Sequence, residues 1–108
     1  MKNKIIVLGT GLVGSAIVKD LCKDYLVTAV DISSENINGL KGLDNVKAIT
    51  ADLSDSSIIK DLVRNHDLVI GALPGNMGYK SVRDVIEAGI DMVDISFFPE
   101  DPFGLDRM

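Results

Sequence analysis

The chain has 108 residues, 46% of them hydrophobic and 5% aromatic, and carries a formal charge of −5. This length suits one domain with one core, and the acidic balance with scattered cations argues against a nucleic-acid surface, which needs a Lys/Arg stripe to neutralise phosphates. No apolar run approaches the roughly 20 residues of a membrane span, and Gly9 and Gly11 interrupt any signal-like run; with Cys22 as the single cysteine, no disulfide framework is available and a cytoplasmic, reducing compartment is expected.

Ile5-Ile6-Val7-Leu8 is a continuous apolar run rich in β-branched residues and closed by glycine, the pattern of a strand buried on both faces of a parallel sheet. Val13, Ala16, Ile17 and Leu21 follow at helical spacing with Lys19, Asp20, Lys23 and Asp24 opposite them, which predicts a helix from Val13 to Lys23. Leu26 to Val30 reads as a second strand, followed at once by Asp31. Ser33 or Ser34 caps a second helix to about Leu43, with Ile37, Leu40 and Leu43 inward and Gly39 weakening it.

Val46 to Thr50 is a third strand. Ser54 or Asp55 then caps a helix whose stripe is Ile58, Ile59, Leu62 and Val63. Asp67 to Gly71 is a fourth strand. Asn76 opens a fourth helix carrying Tyr79, Val82, Val85 and Ile86, with Gly89 at its C-terminal left-handed position, and Met92 to Ile95 is a fifth strand. Such alternation requires long right-handed crossovers and parallel pairing. The fold class expected is α/β, a Rossmann-type doubly wound parallel sheet of five strands in the order 3-2-1-4-5. Residues 1–96 form the dinucleotide-binding domain of this reading. Residues 97–108, which hold all three phenylalanines, read as a tail leading toward a substrate-binding domain.

Gly9-Thr10-Gly11-Leu12-Val13-Gly14 lies between the first strand and the first helix, and there the glycine pattern has a mechanism. Gly9 permits the tight turn, Gly11 lets backbone meet a pyrophosphate, and Gly14 lets helix and strand approach closely. The unpaired N–H groups and dipole of the helix start favour negative charge. The Lys-Ser/Thr ending of a phosphoryl-transfer loop is missing. Asp31, seventeen residues beyond Gly14, is placed to accept both ribose hydroxyls of the adenosine half. A 2′-phosphate would set negative charge against it at about 1–4 kcal/mol per charge at roughly 4 Å. No Lys or Arg follows among Ile32, Ser33, Ser34 and Glu35, so NAD is expected over NADP.

Ile32 is counted with the cofactor contacts. Asp52 and Leu53, after the third strand, are candidates for the adenine side, with helix capping the competing role for Asp52. Ala72, Leu73 and Pro74, after the fourth strand, would border the nicotinamide half. Asp94 and Ser96 are expected to face the same crevice, with a satisfied carboxylate at the sheet edge as the competing role for Asp94. His66 reads as a solvated histidine at the end of the third helix, remote from it. No Cys/His cluster for a metal is found, and no catalytic acid, base or nucleophile is assigned.

Taken with Gly71-Ala72-Leu73-Pro74-Gly75, Glu87-Ala88-Gly89 and Val93-Asp94-Ile95-Ser96 leading to Pro99-Glu100, these motifs make the chain resemble the amino-terminal domain of the saccharopine dehydrogenase family, including its lysine-6-dehydrogenase-like branch. The resemblance spans nearly the whole sequence. It implies an NAD(P)-dependent oxidoreductase acting on an amino acid or secondary amine, whose second domain binds substrate. The chain alone would then bind cofactor without turnover, with a homodimeric parent left open. A nucleotide-sensing regulatory domain of the potassium-channel type is the alternative, although such domains carry polar residues after the fourth strand. A short-chain epimerase-like protein is a third reading. It would need glycine in place of Leu8 and a Tyr-x-x-x-Lys motif, and Tyr79 and Lys80 are adjacent.

Overall fold

The computed structural model describes residues 3–73, 83, 85 and 87–94. Strands β1 (Lys4–Leu8), β2 (Leu26–Asp31), β3 (Val46–Thr50), β4 (Leu68–Gly71) and β5 (Met92–Asp94) alternate with helices α1 (Leu12–Leu21), α2 (Ser34–Asn38) and α3 (Ser56–Val63). Arg83, Val85, Glu87 and Ala88, between β4 and β5, are helical as well. The strands pair in parallel in the order β3-β2-β1-β4-β5, as the alternation of elements requires.

The central strand β1 is buried from Ile5 to Leu8, and its alternation divides the core. Ile6 and Leu8 join Val30, Leu53, Ile59, Val63, Val69, Leu73 and Val85 on one face. Val7 joins Val18, Val27, Ala29 and Leu40 on the other. Each face of the sheet therefore has its own helical cover, α1 with the segment after α2 on one side and α3 with Val85 on the other.

Two helices differ from their sequence expectation. Val13 is 44% exposed and Ala16 is exposed, while Gly14 and Val18 are the buried residues of α1. The helix is rolled about its axis because Gly14 has no side chain: the helix packs so close there that a Cβ would collide with the Gly9 carbonyl. Helix α2 is only five residues long. Ser33 caps it, its hydroxyl accepting from the Asn36 N–H at 3.2 Å, and it stops at Gly39. Leu40 stays buried nonetheless, and the chain turns through Gly42 and Asn45, both at positive φ. The inward spacing of Ile37 and Leu40 thus survives without a continuous helix.

Candidate functional site

Parallel register brings the carboxyl ends of the strands to one edge. Leu8 pairs with Val30 on one side and with Gly71 on the other, Asp31 pairs with Thr50, and Gly71 with Asp94. Hydrogen bonds carry this alignment into the loops, because the Gly9 N–H donates to the Val30 carbonyl at 2.8 Å, the Ala72 N–H to the Leu8 carbonyl at 2.8 Å, and the Ala51 N–H to the Asp31 carbonyl at 2.9 Å. Consequently Gly9 to Gly14, Asp31, Ala51-Asp52 and Ala72-Leu73 share one edge, where the strand order reverses between β1 and β4.

Gly9 has φ +96°, and a Cβ on it would stand 2.8 Å from the Ala72 carbonyl oxygen and 2.9 Å from Leu73 Cδ2. The loop after β1 is thus pressed against the loop after β4, which only glycine allows at that φ. Gly11 differs, since among the described residues a Cβ there would meet nothing within 4 Å. It precedes α1 as its N-cap without a side-chain cap, and no acidic residue lies in the first turn. Leu12, 93% exposed, opens that turn. Backbone donors with no acidic residue in their own helical turn, beside open space over a glycine, fit the phosphates of a dinucleotide.

Asp31 is half-buried at the end of β2 and is held from several sides. Its Oδ2 accepts from the Thr10 N–H at 2.7 Å, from the Thr10 hydroxyl at 3.2 Å and from the Asn36 amide at 3.5 Å, and its Oδ1 accepts from the Ser33 N–H at 2.9 Å. Burial alone would push this carboxyl up. The donors from Ser33, Thr10 and Asn36 outweigh it and hold the group below its usual range, so Asp31 is an anion at neutral pH. Thr10 is 1% exposed, and its carbonyl accepts the Ser15 hydroxyl at 2.6 Å. This clasp between the glycine loop and β2 was not anticipated from the sequence; a hydroxyl residue between the first two glycines was its one visible signal.

The remaining candidates are distributed unevenly. Ile32 is 62% exposed beside Asp31. Asp52 is exposed, and its Oδ1 accepts from the Ser54 N–H at 2.9 Å and the Ser54 hydroxyl at 2.6 Å. The cap of α3 is Asp55, which accepts from the Ser57 N–H at 3.0 Å, so capping of α3 by Asp52 is set aside. Leu53, Ala72 and Leu73 are buried, with Leu53 and Leu73 in the core of the α3 face. The side chain of Leu53 therefore points into protein. Pro74 and Ser96 lie outside the described residues, as do Asn76 and Ile95, and Asp94 is described only by its place in β5.

His66 departs from the solvated reading. Its Nε2 stands 2.9 Å from the Thr28 hydroxyl of β2, and its buried Nδ1 has no hydrogen-bond partner among the described residues. Burial pushes the imidazole below its ordinary range, with Lys4 and Lys47 adding to that push and the Leu62 carbonyl and Asp67 opposing it. It lines a cavity of about 480 Å3 together with Lys4, Thr28, Asn45 and Lys47, at the end of the sheet opposite the glycine loop. Among the described residues, no group of His, Cys, Asp and Glu could hold a metal, and no helix is long and apolar enough to cross a membrane.

Residues 5–105 match the family described as the saccharopine dehydrogenase NADP-binding domain. The chain is similar to the saccharopine dehydrogenase [NADP(+), L-glutamate-forming] of Saccharomyces cerevisiae, 26% identical over 99 residues that make up 90% of this chain and 22% of that protein. The solved apo structure of the L-Glu-forming saccharopine dehydrogenase from Saccharomyces cerevisiae superposes with a TM-score of 0.77 at 25% identity, over 91% of this chain and 22% of that one. A putative epimerase from Bacteroides thetaiotaomicron gives a TM-score of 0.72 at 27% identity, over 87% of this chain and 47% of that one. The chain thus spans about a fifth of the length of the curated relative it matches. A glycine loop clasped to an anionic Asp31 on a 3-2-1-4-5 sheet agrees with that match, and the chain belongs to the saccharopine dehydrogenase NADP-binding domain family.

Proposed function

We propose that this chain is the cofactor-binding part of an oxidoreductase acting on an amino acid or secondary amine. In this reading the N–H groups from Gly11 to Gly14 hold the pyrophosphate and Asp31 takes the adenosine ribose. Ile32, Asp52 and the backbone of Leu53 border the adenine, while Ala72, Leu73 and Pro74 border the nicotinamide half. NAD is bound more tightly than NADP, because Asp31 keeps its negative charge and no cation flanks it between Ile32 and Glu35. Residues 97–108 lead toward a second domain that supplies substrate contacts and catalytic groups. The parent is cytoplasmic, in keeping with the free thiol of Cys22.

The observation that carries the reading is the position of Asp31. Its carboxylate lies within hydrogen-bond reach of the glycine loop, beside amides that have no acidic neighbour in the first turn of α1. The experiment is a pair of titrations with NADH and NADPH on the native chain and on Asp31→Ala. Removing a hydrogen bond to a charged group weakens NADH by about tenfold or more. NADPH suffers less, because the repulsion of its 2′-phosphate is relieved at the same time. Equal losses for the two cofactors would refute the ribose assignment.

A further inference from the structure

An ionised carboxylate offers about four acceptor positions, two on each oxygen. In Asp31 they are not equally available. Oδ2 receives the Thr10 N–H at 2.7 Å and the Thr10 hydroxyl at 3.2 Å, with the Asn36 amide at 3.5 Å as a third and weakest neighbour. Among the described residues, Oδ1 receives only the Ser33 N–H. A ribose with both hydroxyls on one carboxylate needs an open position on each oxygen, and Oδ2 has none.

Whether a ligand could displace Thr10 depends on where the threonine would turn. It is 1% exposed, so its hydroxyl has no water to receive it, and a buried unpartnered hydroxyl is costly. Its backbone is fixed from the other side, because its carbonyl accepts the Ser15 hydroxyl at 2.6 Å. The Ser33 N–H is equally committed, sitting at the start of α2. Only the exposed Asn36 amide is easily moved.

We infer that Thr10 is a positioning residue: its N–H and hydroxyl together occupy Oδ2 of Asp31 and restrict the carboxylate to one ribose hydroxyl, held on Oδ1. The inference rests on the assignment of Asp31 to the adenosine ribose. It deepens that assignment by placing on a residue within the glycine motif the control of how much of the ribose Asp31 can hold.

The test uses the native chain with NADH analogues lacking the 2′- or the 3′-hydroxyl of the adenosine ribose, together with Thr10→Ala and Thr10→Ser. One analogue should bind about tenfold more weakly than NADH and the other within about threefold, the difference expected when one of the two hydroxyls meets the charged group. Tenfold losses for both would overturn the inference. Thr10→Ala removes the hydroxyl together with the bulk beside it and opens a position on Oδ2, so the ratio of the tolerated analogue's dissociation constant to that of NADH should rise by about fivefold. Thr10→Ser should leave that ratio unchanged. A folded Thr10→Ala variant with an unchanged or smaller ratio would also overturn it, and if that variant does not fold the two analogues decide alone. Binding of NADH with no loss for either analogue would instead overturn the ribose assignment, and a native chain that binds neither cofactor would overturn the cofactor-binding reading.

Discussion

Gly11 and Gly14 belong to one motif, yet a methyl group added to each meets different surroundings. At Gly14 it would collide with the Gly9 backbone, and at Gly11 it meets nothing within 4 Å among the described residues. Gly14→Ala should therefore lower stability by about 1–3 kcal/mol, the usual cost of overpacking, read as a drop in urea midpoint without cofactor. Gly11→Ala should hold stability within about 0.5 kcal/mol and lose most of its affinity for NADH. The opposite assignment of effects would mean that Gly11 is the structural glycine. These roles were legible in the spacing of the motif. The clasp on Asp31 was not, because it depends on how far Thr10 turns toward a strand that lies twenty-one positions away in the chain.

At the scale of elements, apolar spacing located every strand that the structure describes, while the extent and facing of the helices depended on their neighbours. Helix α1 turns Gly14 and Val18 inward because the contact with Gly9 sets its closest approach. Helix α2 ends early because Gly39, Gly42 and Asn45 provide a turn that keeps Leu40 in the core. His66 joins the end of α3 to β2 through Thr28. Its proton affinity in the folded chain is held below the ordinary value of 6.5, so the unfolded chain takes up the proton more readily. Stability should therefore fall as pH drops through about 6.5 and level off below the folded value. Urea midpoints at pH 7.5 and about pH 5 should differ, and His66→Gln should shrink that difference. Asp31 acts in the same direction but in a separate, more acidic window, since its depressed carboxyl adds stability above about pH 3.8 that is lost in stronger acid.

For the whole molecule, the two-faced burial of β1 means that neither set of helices forms a core without the other. Ile59 is fully buried among Ile6, Leu8 and Val63 on the α3 face. Ile59→Ala should cost about 2–5 kcal/mol, the range for truncating a buried isoleucine, and unfolding should remain a single transition when followed by far-UV circular dichroism and by hydrogen exchange in α1. Separate transitions for the two faces would show that the sheet does not couple them.

The sequence by itself determined the alternation of strands and helices, the parallel order 3-2-1-4-5 and the edge at which the glycine loop, Asp31 and the Ala72-Leu73 segment meet. Those features follow from local apolar spacing, turn chemistry and the handedness of crossovers, all carried by neighbouring residues. The tertiary structure alone decided which face α1 presents, where α2 stops, that His66 packs against Thr28, and that Thr10 occupies one oxygen of Asp31. Each of these is a contact between segments far apart in the chain, set by close packing and by the need of buried polar groups for partners.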